Sequence, residues 1–96
     1  MPVNALVLHR ADNVATAVRE LPAGGEVAVT VDGATLAIML LQAIPPGHKF
    51  ALEDIAPGGD ITKYGETIGQ ATAPIKRGEH VHLHNVAGLR GRGDRP

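Results

Sequence analysis

Aliphatic positions along the chain recur in a fixed relation to glycine. A unit of one aliphatic residue, two others, Gly, two others and a closing apolar residue is written four times: LPAGGEV from Leu21, IPPGHKF from Ile44, IAPGGDI from Ile55 and IKRGEHV from Ile75. Glycine permits a positive φ, and the flanking apolar residues can anchor the incoming and outgoing segments in one core. Proline at the second or third position of the first three copies stiffens the approach. Four such corners in 96 residues predict short strands joined by sharp glycine turns.

Between the corners the pattern is that of strands. EVAVTV runs to an Asp32-Gly33 hairpin turn and is followed by ATLAIML. DITKYGETIGQA divides around Gly65 into two shorter strands, and Gly69 marks a bulge or a close backbone approach. One segment breaks the rule. In ADNVATAVREL, Asp12 suits an N-cap and Val14, Ala15, Val18 and Leu21 follow helical spacing, which predicts one short helix. The expected fold class is therefore mainly β, with one domain over 1–88 and a Gly/Arg-rich C-terminal tail over 89–96.

Composition narrows the partners. Nine basic and ten acidic residues give a net charge of −1, and Phe50 and Tyr64 are the only aromatics, so neither an electrostatic footprint nor a stacking platform for nucleic acid exists. Without cysteine there are no disulfides, thiolate ligands or cysteine nucleophiles, which fits a reducing cytoplasm. The longest apolar run, ATLAIMLLQAI, is too short to span a bilayer and stops at Pro45-Pro46, so no membrane role is expected.

The chemistry concentrates in GEHVHLHN, which carries three of the five histidines at alternate positions. In an extended strand, His80, His82 and His84 share one face while Val81 and Leu83 turn to the core. Neighbouring rings then stand about 6.6 Å apart along the strand, close enough for two to meet one divalent ion, whereas the outer pair at about 13 Å is not. His48, beside another corner, a carboxylate or water are the candidates for further ligands. A solvated face that happens to be rich in histidine is the competing reading. His48 and Lys49 could meet an anion, and Arg90 and Arg92 could grip a carboxylate with two hydrogen bonds. His9 reads as a surface residue, Asp54, Asp60 and Glu66 as turn residues, and Arg92-Gly93-Asp94 as a chance triplet.

The run from Gly47 to Asp94 combines GHKFAL, KYG, IG.A and G.HVH.HN in fixed order, and in this it resembles the small N-terminal module of the altronate/galactarate dehydratase family. The resemblance implies a SAF-type β-clip fold. It also implies β-elimination of water from a sugar acid, or of sulfite from sulfolactate, with a divalent metal ion that is often Fe2+. Such a reaction needs a base for the α proton, an acid for the leaving group and positive charge near the developing enediolate.

On this basis His80 and His82 are expected metal ligands, His82 and His84 catalytic acid/base groups, and His48, Lys49 and Arg90 substrate-binding residues. The chain stops at Pro96, where fused family members continue, so the expected partner is a large dehydratase-like catalytic subunit, with homo-oligomerisation left open. Whether this chain is itself catalytic stays open too. The alternatives are the small subunit of a sulfolactate sulfo-lyase and a non-catalytic module that binds a sugar acid or another protein.

Overall fold

The four glycine corners organise the chain. The computed structural model describes residues 3–88, and Gly24, Gly47 and Gly58 sit at φ 81° and Gly78 at φ 86°. Each corner is closed by a backbone bond across four residues: Gly25 N–H to Pro22 O, His48 N–H to Pro45 O, Gly59 N–H to Ala56 O and Glu79 N–H to Lys76 O. A glycine third in a four-residue turn at this φ makes each a type II turn. The apolar residues that bracket the corners, from Leu21 and Val27 through Ile75 and Val81, are all buried. Corners also pair with one another, through isolated antiparallel bridges Leu21↔Ile44 and Ile55↔Ile75.

Nine strands run between them: β1 (Ala5–Leu6), β2 (Val14–Ala17), β3 (Glu26–Val31), β4 (Ala34–Met39), β5 (Lys49–Ala51), β6 (Asp60–Lys63), β7 (Glu66–Ala71), β8 (His80–Val81) and β9 (Val86–Gly88). They form three antiparallel sheets, in the order β1-β2-β5-β8, β3-β4 and β6-β7-β9. The β3–β4 hairpin turns at Asp32-Gly33 and the β6–β7 hairpin at Tyr64-Gly65, all four with positive φ. This backbone fits the mainly β, SAF-type architecture expected from the sequence. Among the described residues no helix is long and apolar enough to cross a membrane.

The hydrogen bonding is written twice. In the first half Gly47 N–H donates to Ala17 O, Ala17 N–H to His48 O and Gly24 N–H to Leu40 O; in the second, Gly78 N–H donates to Ala51 O, Ala51 N–H to Glu79 O and Gly58 N–H to Ala71 O. Each half is a strand, a corner, a hairpin, a corner and a strand, and β5 is the last strand of one and the first of the next. Its side chains alternate accordingly: Phe50 packs with Leu21, Val29, Ile38, Leu40 and Ile44 in one core, and Ala51 packs with Val14, Ile61, Ile75 and Val81 in the other.

The helix expected over 11–21 is absent; the segment holds β2 instead, hydrogen-bonded to β1 on one side and β5 on the other. Val14, Ala15 and Ala17 are buried on both faces of the strand, which removes the alternation that would have identified it. Asp12 does not cap a helix. Its Oδ1 accepts the Gly65 N–H at 2.9 Å, and Asn13 bonds Asp60 O and Thr62 N–H, so the pair ties β2 to the β6–β7 hairpin. Gly69 meets both expectations. The β6–β7 register shifts between Ile61 and Thr62, and a Cβ on Gly69 would stand 2.7 Å from Ala87 O on β9. The predicted tail, 89–96, lies outside the described residues.

The corners are not equivalent in their tolerance. A Cβ on Gly24 would meet nothing within 4 Å, whereas one on Gly78 would run into the Met39 carbonyl. Gly24→Ala should cost about 1–2 kcal/mol, the strain of a left-handed alanine. Gly78→Ala adds a backbone collision and should cost at least about 4 kcal/mol or prevent folding. Urea unfolding of the two variants checks the difference.

Candidate functional site

Antiparallel pairing of β5 with β8 aligns Lys49 with Val81 and Phe50 with His80. His48 precedes Lys49 and His82 follows Val81, so both stand at the end where this pairing stops. The rings follow: His48 and His82 stack with centroids 3.9 Å apart, His48 and His80 at 5.0 Å, and His80 and His82 at 5.5 Å. His48 Nδ1 and His80 Nε2 are 2.8 Å apart, so one of them carries the proton the other accepts. One ring nitrogen from each of His48, His80 and His82 falls within 4.8 Å of the other two.

The histidine strand itself is shorter than expected. Only His80 and Val81 are extended, and the chain then turns through residues 82–85, where Asn85 N–H donates to His82 O at 3.1 Å. Val81 is buried as predicted, but Leu83 is 83 % exposed at the apex of the turn rather than in the core. The bend also brings His84 back toward His80, where an extended strand would hold the two about 13 Å apart. His80 and His82 remain in the three-ring group, while His84 is exposed with its ring tilted against His80 at 5.2 Å. Of the residues singled out from the sequence, His48, His80 and His82 therefore converge, Lys49 lies beside them, His84 is at the rim and Arg90 lies outside the described residues.

Lys49 and His82 line a shallow hollow of about 210 Å³ with Ile68, Leu83, Val86 and Gly88. A larger hollow of about 590 Å³ lies between β1 and the outer face of β3–β4, and no titratable side chain lines it. The smaller one is the one with chemistry. Burial, then the neighbouring Lys63 charge, lowers the pKa of the Lys49 ammonium. Burial also lowers His80, followed by the charges of His48, His84, His82 and Lys49. His82 is lowered by the same desolvation and by His48, Lys49 and His84. At His80 and His82 the neutral imidazole, the form that binds metals, is thus favoured.

Three imidazole nitrogens without a carboxylate suit Fe2+, Co2+, Ni2+ or Zn2+ better than Mg2+ or Ca2+, which prefer oxygen. The donor set fits a borderline divalent ion. Three protein ligands on one side would also leave positions open for substrate or for groups from another domain.

The sequence reading missed Asn85 and Gln42, both of which bond the backbone around the histidines. An Asn three residues after His82 is a local turn signal. Gln42 had no local signal, because its contact depends on tertiary packing.

Because the His80 and His82 pKa values are lowered from 6.5 in the folded chain, the unfolded chain takes up protons first as pH falls. Stability should be highest above the unfolded value and decline as pH drops through it, levelling off below the folded values. Thermal unfolding across that range should show the decline, and His80→Gln should flatten it.

The profile of the altronate/galactarate dehydratase SAF domain matches residues 3–89. The altronate dehydratase of Escherichia coli (strain K12) is 50 % identical over 79 residues, 82 % of this chain and 15 % of that protein. A (2R)-sulfolactate sulfo-lyase subunit alpha from Chromohalobacter salexigens is 46 % identical over 52 residues, 54 % of this chain and 55 % of that subunit. The galactarate dehydratase (L-threo-forming) of E. coli (strain K12) is 42 % identical over 76 residues, 77 % of this chain and 13 % of the enzyme. The chain thus spans about a seventh of the dehydratases it matches and about half of the sulfo-lyase subunit. By the extent of the profile match, the chain belongs to the altronate/galactarate dehydratase SAF-domain family.

Proposed function

We propose that this domain supplies a three-histidine site for a divalent cation, Fe2+ being one that suits the donors, to a cytoplasmic hydro-lyase that eliminates water from a sugar acid such as altronate or galactarate. The observation that carries the reading is the convergence of His48, His80 and His82 within 4.8 Å, in a chain whose relatives include two dehydratases of sugar acids. The site is open on one side, and a larger catalytic body, as a separate subunit or a further domain, would close it.

His48, His80 and His82 would hold the cation, which would supply positive charge beside the substrate carboxylate. Lys49, half-buried beside the cluster, would orient that carboxylate by a charge-assisted hydrogen bond. His84 is exposed at the rim with its ring against His80, which suits it to pass protons between the site and water. His82, if not committed as a ligand, is the alternative proton carrier, and Arg90 would add a second anchor for an acidic substrate. The acid would lie in the hollow between Lys49 and Leu83, next to His82.

Elimination of sulfite is the second reading, favoured by the 46 % identity to a sulfo-lyase subunit alpha. The two reactions share the α-proton step and differ in the leaving group.

The assay is the chain joined to its catalytic body, metal-stripped and reloaded, on altronate, galactarate and sulfolactate. Stripping should abolish turnover and reloading with Fe2+ should restore it. His82→Ala should lower kcat by about 10²-fold or more without changing the thermal unfolding midpoint above neutral pH. Full activity in the His82→Ala assembly, or in the absence of this chain, would refute the proposal; the preferred substrate separates the two readings.

A further inference from the structure

Two carboxamide side chains grip the backbone of the histidine turn. Asn85 is 4 % exposed. Its Oδ1 accepts the His82 N–H at 3.0 Å while its Nδ2 donates to the His80 carbonyl at 2.8 Å. Its own backbone is held too, by N–H donation to His82 O and by acceptance of the Thr72 N–H. Gln42 Oε1 in turn accepts the His80 N–H at 2.9 Å. The segment bearing Gln42 is fixed by the Leu41 N–H to Gly78 O bond, next to the corner where Gly78 meets the Met39 carbonyl.

These bonds do what the sheet does not. After Val81 the ladder with β5 ends, so nothing in the strand pairing sets the direction in which His82 leaves. The Asn85 side chain spans the gap, joining the His80 carbonyl to the His82 amide, and so sets the orientation between two adjacent ring-bearing residues. His48 is placed independently by its corner and by the Ala17 N–H bond to its carbonyl. The relative position of the three rings therefore depends on Asn85, with Gln42 fixing the His80 end.

We infer that Asn85 and Gln42 are positioning residues that preorganise the His48, His80 and His82 donor set for its ligand. The inference deepens the proposed function and rests on it for the metal, but not for the ring geometry. Groups that orient metal ligands typically change affinity by about 10–100-fold when removed.

The test uses the full chain and Co2+ as the probe, near neutral pH, followed by the visible absorption of the bound ion. Asn85→Ala is expected to weaken Co2+ binding by about 10–100-fold and Gln42→Ala to weaken it less. Asn85→Asp keeps the acceptor for His82 N–H and loses the donor to His80 O, so it should fall between Asn85→Ala and the parent chain. Asn13→Ala is the matched control: it also removes a carboxamide that bonds two backbone groups, but on β6 rather than in the histidine turn, and should lower the unfolding temperature with Co2+ affinity unchanged. Parent-like Co2+ affinity and spectrum in Asn85→Ala would overturn the inference. So would an equal loss of affinity in Asn13→Ala, which would mark the effect as general destabilisation. If Asn85→Ala fails to fold, Gln42→Ala and Asn85→Asp decide by the same comparison. Should the parent chain itself bind no Co2+, the metal reading fails, and nuclear Overhauser contacts between the His48 ring and the His80 and His82 rings decide the positioning role. Loss of those contacts in Asn85→Ala with the core methyl contacts retained supports it, and their persistence refutes it.

Discussion

A left-handed backbone at four glycines, each followed three residues later by a buried apolar side chain, is the constraint from which the rest of the structure follows. Such a turn reverses the chain within four residues and leaves the outgoing strand aimed back into the core. Because the corners meet in pairs through Leu21↔Ile44 and Ile55↔Ile75, closing one fixes the position of its mate. Aliphatic packing alone then suffices for the interior, where Phe50 is the one aromatic.

The same constraint delivers the candidate site. His48 follows the Gly47 corner directly, and His80 stands two residues after Gly78. The two corners feed the adjacent strands β5 and β8, so residues 32 positions apart arrive with ring nitrogens 2.8 Å from each other. At the equivalent places in the other two corners stand Gly25 and Glu26, and Gly59 and Asp60, which carry no imidazole. The duplicated scaffold has thus been specialised at one seam only, and the histidine cluster with Lys49 gathers there.

Much of this was legible along the chain, because positive φ has a compositional mark. The four corners and the Asp32-Gly33 and Tyr64-Gly65 hairpins are where the glycine pattern puts them, and Gly69 lies against β9 as its position inside a strand suggested. The errors have physical reasons. Val14, Ala15, Val18 and Leu21 satisfy a helical spacing, yet small residues also fill a central strand buried on both faces, and Asp12 found its backbone partner 53 residues away. Alternation points Leu83 into the core only where the strand continues. The Asn85 side chain ends it by offering the His82 amide a local acceptor. The arrival of His48 beside His80 depends on strand register, a tertiary property that spacing does not record.

Strand β5 has a further consequence. It is three residues long, belongs to both halves of the duplicated ladder, and sends Phe50 into one interior and Ala51 into the other. Neither half can melt while its neighbour stays intact, so the domain should behave as one cooperative unit despite its two separate cores. His48 and Lys49 are bolted to the leading end of this shared strand. An ion or anion captured there would consequently tighten the entire domain by mass action, rather than merely quieting the loop that carries the other rings.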